Sequence, residues 1–341
     1  MSLIVMTDGG IRFDGRTLET QPLGGAETAF AELAQALAAR GHQVEVRNNC
    51  DEPVTHRGVH WAPLSQGLPA APDLYIANRG WQLLDLAPDA KRCVFWIHNP
   101  AQYLLKLRFQ RRLARRKPVI VFSGASHAAT YPALGRGGER VIIPYGITDS
   151  FCHAAEREPP PPRAVFTSNP LRSLDWLLDV WQARIRPSVP YAELHVFAGA
   201  AVYGAAAKTD RMAPVLERAA ALADFGVVLR GPVPKPRLVE ELACARVFLY
   251  RGDEGETFCN AAAESQAMGV PGVVEDIACM SERIRNDKTG YVVSSRDAFA
   301  DAAVALMVDD GLWRAQHRAC LATQRVWGWA EAAREFARLA P

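Results

Sequence analysis

DEGETFCNAAAESQAMGVPGVV, Asp253 to Val274, decides how the rest of the chain reads. A polar loop containing Gly255 runs into an alanine-rich helical segment. Gly269 and Pro271 stop that segment just ahead of the apolar run Gly272-Val273-Val274. A helix delivered straight into a buried, Val-rich strand is a unit of a parallel sheet covered on both faces. The helix is expected to start near Thr257, so the amides of Thr257, Phe258 and Cys259 would form an open N-terminus that favours an anion. Glu256 and Glu264 place carboxylates about 12 Å apart along such a helix. The bland alternative is a capping acid at Glu256 and an ordinary surface acid at Glu264.

The same alternation runs through the chain. SLIVMT, QVEVRN, DLYIAN, RCVFWIH, PVIVFS and RVIIPY read as strands in the first half, and RAVFTS, ELHVFAG, FGVVLRG, ARVFLY and PGVVED in the second. Between them lie amphipathic stretches in which, for example, Phe30, Leu33, Ala34 and Leu37 share one helical face. The expected fold class is α/β with two doubly wound domains and a ligand cleft at the carboxyl ends of their strands. A length of 341 residues suits two domains. The proline run in EREPPPPRA is read as the linker. Boundaries are expected at 1–155, 156–163 for the linker, 164–325, and 326–341 for a helix returning to the first domain.

Composition narrows the function classes. Hydrophobic residues make up 49% of the chain and charged ones 22%, with a net charge of +2. That suits a globular protein and speaks against a general nucleic-acid binder. The seven cysteines are scattered singly, which fits reduced thiols rather than disulfides or a zinc site. No apolar run approaches the roughly 20 residues of a membrane span, and the start carries no basic leader, so a cytoplasmic location is expected. KLRFQRRLARRK, Lys106 to Lys117, is either a solvated face or a patch for an anionic acceptor or membrane surface.

Several further positions are candidates for chemistry. Gly24 and Gly25 sit just before the first long helix, where bare amides could hold an anion or simply make a turn. His98 closes the strand CVFWIH, at the end of the sheet where ligands bind. Asn169 and Arg172 lie at the turn after FTSN. Arg172 is read as one residue into a helix, where the macrodipole disfavours a cation unless an anion lies between. Arg230 and Arg251 are additional cations near strand ends. AGAAVYGAAAKT, Ala198 to Thr209, lacks the lysine that must follow the second glycine of a phosphate loop and is rejected as one. The Glu256–Glu264 spacing matches a nucleoside-diphosphate sugar laid along the helix, with the ribose diol at one acid and sugar hydroxyls at the other.

With these motifs the chain resembles the retaining glycosyltransferases of family 4, which have the GT-B fold. GGAETAFAELAQALAARGHQVEV is similar to the family's opening loop and helix, FWIHNP to its histidine strand, and SNPLRSL to one branch's SNPxRGL. VIIPYGI resembles its PNG(I/V)D turn, with Tyr145 and Thr148 in place of Asn and Asp. ETFCNAAAESQAMGVPGVV resembles the Glu-x7-Glu signature, and RVWGWAEAAREFARL the closing helix. The resemblance implies that Glu264 binds the donor ribose and Glu256 the transferred sugar. It implies that Arg172, with Asn169 and Arg230 nearby and the amides of Thr257, Phe258 and Cys259, meets the diphosphate. His98 would approach the sugar near its C6 hydroxyl, with Gly24 and Gly25 framing phosphates and acceptor. It implies transfer of a hexose-type sugar from a UDP- or GDP-sugar, with no cofactor. The sequence has no Asp-x-Asp, so no metal is expected. The acceptor stays open among polysaccharide, lipid-linked glycan and small metabolite. A nucleotide-sugar epimerase and a non-catalytic scaffold of the same fold are the alternatives.

Overall fold

A computed structural model of the chain describes residues 1–199 and 206–341. It has two units, Met1–Gly146 with Trp327–Pro341, and Ile147–Val326. Six residues of the rejected phosphate-loop stretch, 200–205, lie outside the described residues.

The first unit is built on an eight-stranded sheet. Its strands are β1 (Leu3–Asp8), β2 (Gln43–Asn48), β3 (Val54–His56), β4 (Val59–Pro63), β5 (Leu74–Asn78), β6 (Arg92–Trp96), β7 (Val119–Phe122) and β8 (Arg140–Ile142). Their order is β3-β4-β2-β1-β5-β6-β7-β8, all parallel except β3 against β4. Helix Gly25–Ala39 buries the expected stripe of Phe30, Leu33, Ala34 and Leu37. The closing helix Trp329–Ala337 packs on that same helix. Chain order reverses direction at β1, which lies between β2 and β5. The carboxyl ends of β1 and β5 are therefore a topological switch point, the place where doubly wound folds bind ligands.

The second unit has a six-stranded sheet of β9 (Arg163–Phe166), β10 (Glu193–Val196), β11 (Val227–Leu229), β12 (Val247–Leu249), β13 (Gly272–Glu275) and β14 (Gly290–Val293), all parallel. Its order, β11-β10-β9-β12-β13-β14, puts the switch point between β9 and β12. Both units are thus doubly wound, each with its own switch point.

All eleven expected strands form. Three more form among the described residues, β3, β4 and β14. The β3–β4 hairpin turns through Arg57 and Gly58, both with positive φ, a pair that lacks the usual Asn-Gly or Asp-Gly signal. The change of unit falls at Gly146/Ile147, ahead of the proline run. Glu156–Arg163 belongs to the second unit, where the Arg157 guanidinium donates to the Met268 carbonyl at 2.8 Å.

Candidate functional site

Helix starts differ from the expected ones at two places that matter. The helix after Glu256 is Asn260–Ala267, capped by Cys259 at φ 64°, not a helix from Thr257. An Asx turn at Asp253 intervenes, with Asp253 Oδ1 accepting from Gly255 N at 2.8 Å and Asp253 O accepting from Glu256 N at 2.9 Å. The amides of Thr257, Phe258 and Cys259 thus lie in a buried bend before the helix. Phe258 lies under the Arg283 guanidinium, 4.3 Å from its ring centre. Burial, then Glu256, holds the Cys259 thiol well above its ordinary pKa, which leaves it unreactive. Likewise the helix after Asn169 is Leu174–Val180, with Ser173 in the left-handed region at φ 66°. Arg172 therefore sits in the turn before the helix, and Asn169 shapes that turn by accepting from Leu171 N at 2.9 Å.

These corrections bring Arg172 and Glu256 together. The loops leaving β9 and β12 meet at the switch point, and Arg172 Nη1 pairs with Glu256 Oε1 at 2.6 Å. Tyr250, the first residue beyond β12, donates to the same oxygen at 2.9 Å, and Asp253 lies 3.8 Å from the Arg172 Nε. Burial opposes the Arg172 charge, but Glu256, then Tyr250 and Asp253, outweigh it and raise the guanidinium pKa. Burial and the Glu256 charge raise the Tyr250 phenol, so it stays a donor.

Glu264 is buried on the following helix, and its Oε1 pairs with Lys235 Nζ. In both glutamates the partners converge on Oε1. Among the described residues no donor reaches either Oε2. Arg230 is exposed and donates from Nε to His195 Nδ1 at 3.4 Å, while Arg251 pairs with Glu275 at 2.8 Å.

The first unit's switch point carries a continuous polar chain. Asp8 and Asn78 are register partners at the ends of β1 and β5, both fully buried. Asp8 accepts from Asn78 Nδ2 and, at 3.0 Å each, from Arg79 Nε and Nη2. Arg79 also pairs with Glu27 at 2.8 Å. Asn78 Oδ1 meets His98 Nε2, and Tyr145 meets His98 Nδ1. Since the Asn78 amide donates to Asp8, its oxygen faces His98, so Nε2 carries the proton and Tyr145 donates to the bare Nδ1. Burial first, then Arg79 and His127, press the His98 pKa well below its ordinary value and keep it neutral. Both ring nitrogens are thus engaged. Gly24 is the cap of helix Gly25–Ala39, and the Glu27 carboxylate stands 2.5 Å from where a Cβ on Gly24 would be. An acid already stands beside Gly24, one of the two glycines expected to frame a phosphate.

Sequence reasoning missed Lys235, Tyr250, Asp8, Asn78, Arg79 and Glu27. Asp8 and Asn78 carried a signal, since each ends an apolar strand with a polar residue, as His98 does. Lys235 carried the signal used for Arg172, a cation at a helix N-terminus.

Residues 161–309, which lie within the second unit, match the family described as Glycosyl transferases group 1. A stretch of 109 residues, 31% of this chain, is 33% identical to D-inositol 3-phosphate glycosyltransferase of Xylanimonas cellulosilytica. The match spans about a quarter of that protein's length, 26%. Among solved structures, sucrose-phosphate synthase from Thermosynechococcus elongatus superposes with a TM-score of 0.76 at 15% identity, covering 99% of this chain and 98% of that one. Anabaena HepE in complex with UDP and glucose gives 0.72 at 14% identity, covering 99% of each. The fold is therefore that of the GT-B glycosyltransferases.

Proposed function

We propose that the chain is a retaining glycosyltransferase of family 4 that moves a hexose-type sugar from a UDP- or GDP-sugar to an acceptor hydroxyl. One observation carries the reading. Both acids of the Glu-x7-Glu segment are buried in the matching domain, each held by one cation at Oε1 with its second oxygen left for a ligand. Glu264 accepts from the ribose, Glu256 from the transferred sugar, and Arg172 with the neighbouring backbone amides takes the diphosphate charge. The acceptor oxygen bonds to the anomeric carbon on the face from which the diphosphate leaves. The carbon–phosphate-oxygen bond breaks, and the acceptor proton passes to the leaving phosphate oxygen. No metal enters this scheme, since Arg172 and the amides are assigned its role. His98, neutral and fixed by Asn78 and Tyr145, is not assigned the role of a base. A thermal-shift screen of nucleoside diphosphates, followed by NMR of the product formed from the matching donor sugar, tests the reading. Stabilisation by one diphosphate and an anomeric configuration equal to the donor's are expected; no nucleotide binding, or an inverted product, overturns it.

The acceptor side is assigned to an anionic or lipid-linked molecule reached through Lys106–Lys117. On helix Leu107–Arg116, Phe109 and Leu113 are buried, while Arg112 and Arg115 pair with Asp85. Lys106, Arg111 and Lys117 stay exposed beside Leu105 and Leu107, which are 46% and 64% exposed. Replacing those three cations with Gln should abolish sedimentation with anionic vesicles, at about 1 kcal/mol per charge; unchanged sedimentation returns the patch to a solvated face. Among the described residues no helix is long and apolar enough to cross a membrane.

A further inference from the structure

Lys235 is an unusual place for a cation. It is the first residue of helix Lys235–Ala243, behind the cap Pro234, so its charge faces the positive end of the helix dipole. Its side chain is only 20% exposed, and its ammonium stands 5.6 Å above the Phe151 ring. Pro234 and Pro236 flank it, fixing the backbone on both sides. Helix physics explains none of this. Among the described residues, the charged group that meets it is Glu264, whose Oε1 it binds. The pair therefore presents a fixed ammonium donor beside an open carboxylate oxygen.

That combination suits a vicinal diol better than a carboxylate alone. Each hydroxyl is at once a donor and an acceptor. A lone carboxylate uses only the donors. An ammonium beside it also occupies an acceptor lone pair, so both faces of the diol are read. We propose that Lys235 is a specificity-determining residue that, with Glu264, reads the 2′,3′-diol of the donor ribose and rejects 2′-deoxynucleotides. The inference rests on the donor-site reading given above. Loss of one hydroxyl leaves either the Glu264 oxygen or a Lys235 N–H unpaired in a buried place, which is how sites built for hydrogen bonds discriminate.

The test compares UDP and GDP with their 2′-deoxy forms by calorimetric titration on the full chain. The wild type should bind the preferred ribonucleotide at least tenfold more tightly than its 2′-deoxy form. In Lys235→Met that ratio should fall to threefold or less, with folding checked by circular dichroism. A Lys235 that merely neutralised Glu264 would weaken both ligands by one factor and leave the ratio intact; that result overturns the proposal. A wild-type ratio near one overturns it too, leaving the donor site standing, and needs no variant that might misfold. Absence of any nucleoside diphosphate binding removes the donor-site reading and this inference together.

Discussion

The two switch points are built alike and finished differently. In the first unit, Asp8, Asn78, Arg79, Glu27, His98 and Tyr145 satisfy one another in a closed polar chain. In the second, Arg172 with Glu256 and Lys235 with Glu264 are separate ion pairs, and among the described residues each acid keeps an oxygen unclaimed. A chain that answers its own valences is a rigid platform, because any exchange with a ligand must first break a buried bond. Pairs with spare capacity can accept a polar ligand without that penalty. The difference teaches where recognition energy is to be sought: in the second unit's pairs rather than in the first unit's closed network.

The largest effect should come from cutting the closed chain. Asp8→Ala strands the Arg79 guanidinium and the Asn78 amide in a buried setting and should destabilise the first unit by about 3–5 kcal/mol. A loss below about 1 kcal/mol in urea unfolding would mean the network is not closed. Next, Arg172→Ala should weaken nucleoside diphosphate binding by about 2–3 kcal/mol and lower melting stability less than Asp8→Ala does, since Tyr250 still donates to the Glu256 left behind. An equal loss of melting stability would make the second pair structural like the first, and the comparison would collapse. A smaller effect should appear with pH. Burial holds the folded His98 pKa below its unfolded value of about 6.5, so the unfolded chain takes up the proton first. His98 therefore contributes its full stability above about pH 6.5, and this contribution declines, by at most about 1.4 kcal/mol per pH unit, as pH falls toward the folded value. The difference between wild type and His98→Gln isolates this from the other depressed histidines, His42, His195 and His317. A difference constant from pH 7 to 5 would show that His98 is not buried neutral.

Much of this was legible in the sequence. Val- and Ile-rich runs alternating with helical periods marked eleven of the fourteen strands among the described residues, because parallel strands buried on both faces leave an apolar signature. The Glu256–Glu264 spacing located the region that matches a glycosyltransferase domain. What stayed hidden was pairing. Lys235 lies far in sequence from Glu264, and no periodicity links them. The helix starts were set too early because Asp253 and Asn169 make side-chain turns that hold the chain out of helix for a few residues more. Those turns, rather than helical spacing, bring Arg172 to Glu256.

The returning helix has a consequence for how the chain is born. Trp329 stacks on Tyr145 and Phe336 packs at 5.0 Å against Trp96, so the first unit's core is finished by residues that follow the whole second unit. During synthesis the second unit has all its sequence while the first still lacks its final piece. The usual order of maturation from the N-terminus is thereby inverted. A ribosome halted shortly before Trp327 would hold a second unit with all its sequence tethered to an unsealed first unit, and quality control would meet the defect in the unit made earlier rather than beside the broken end.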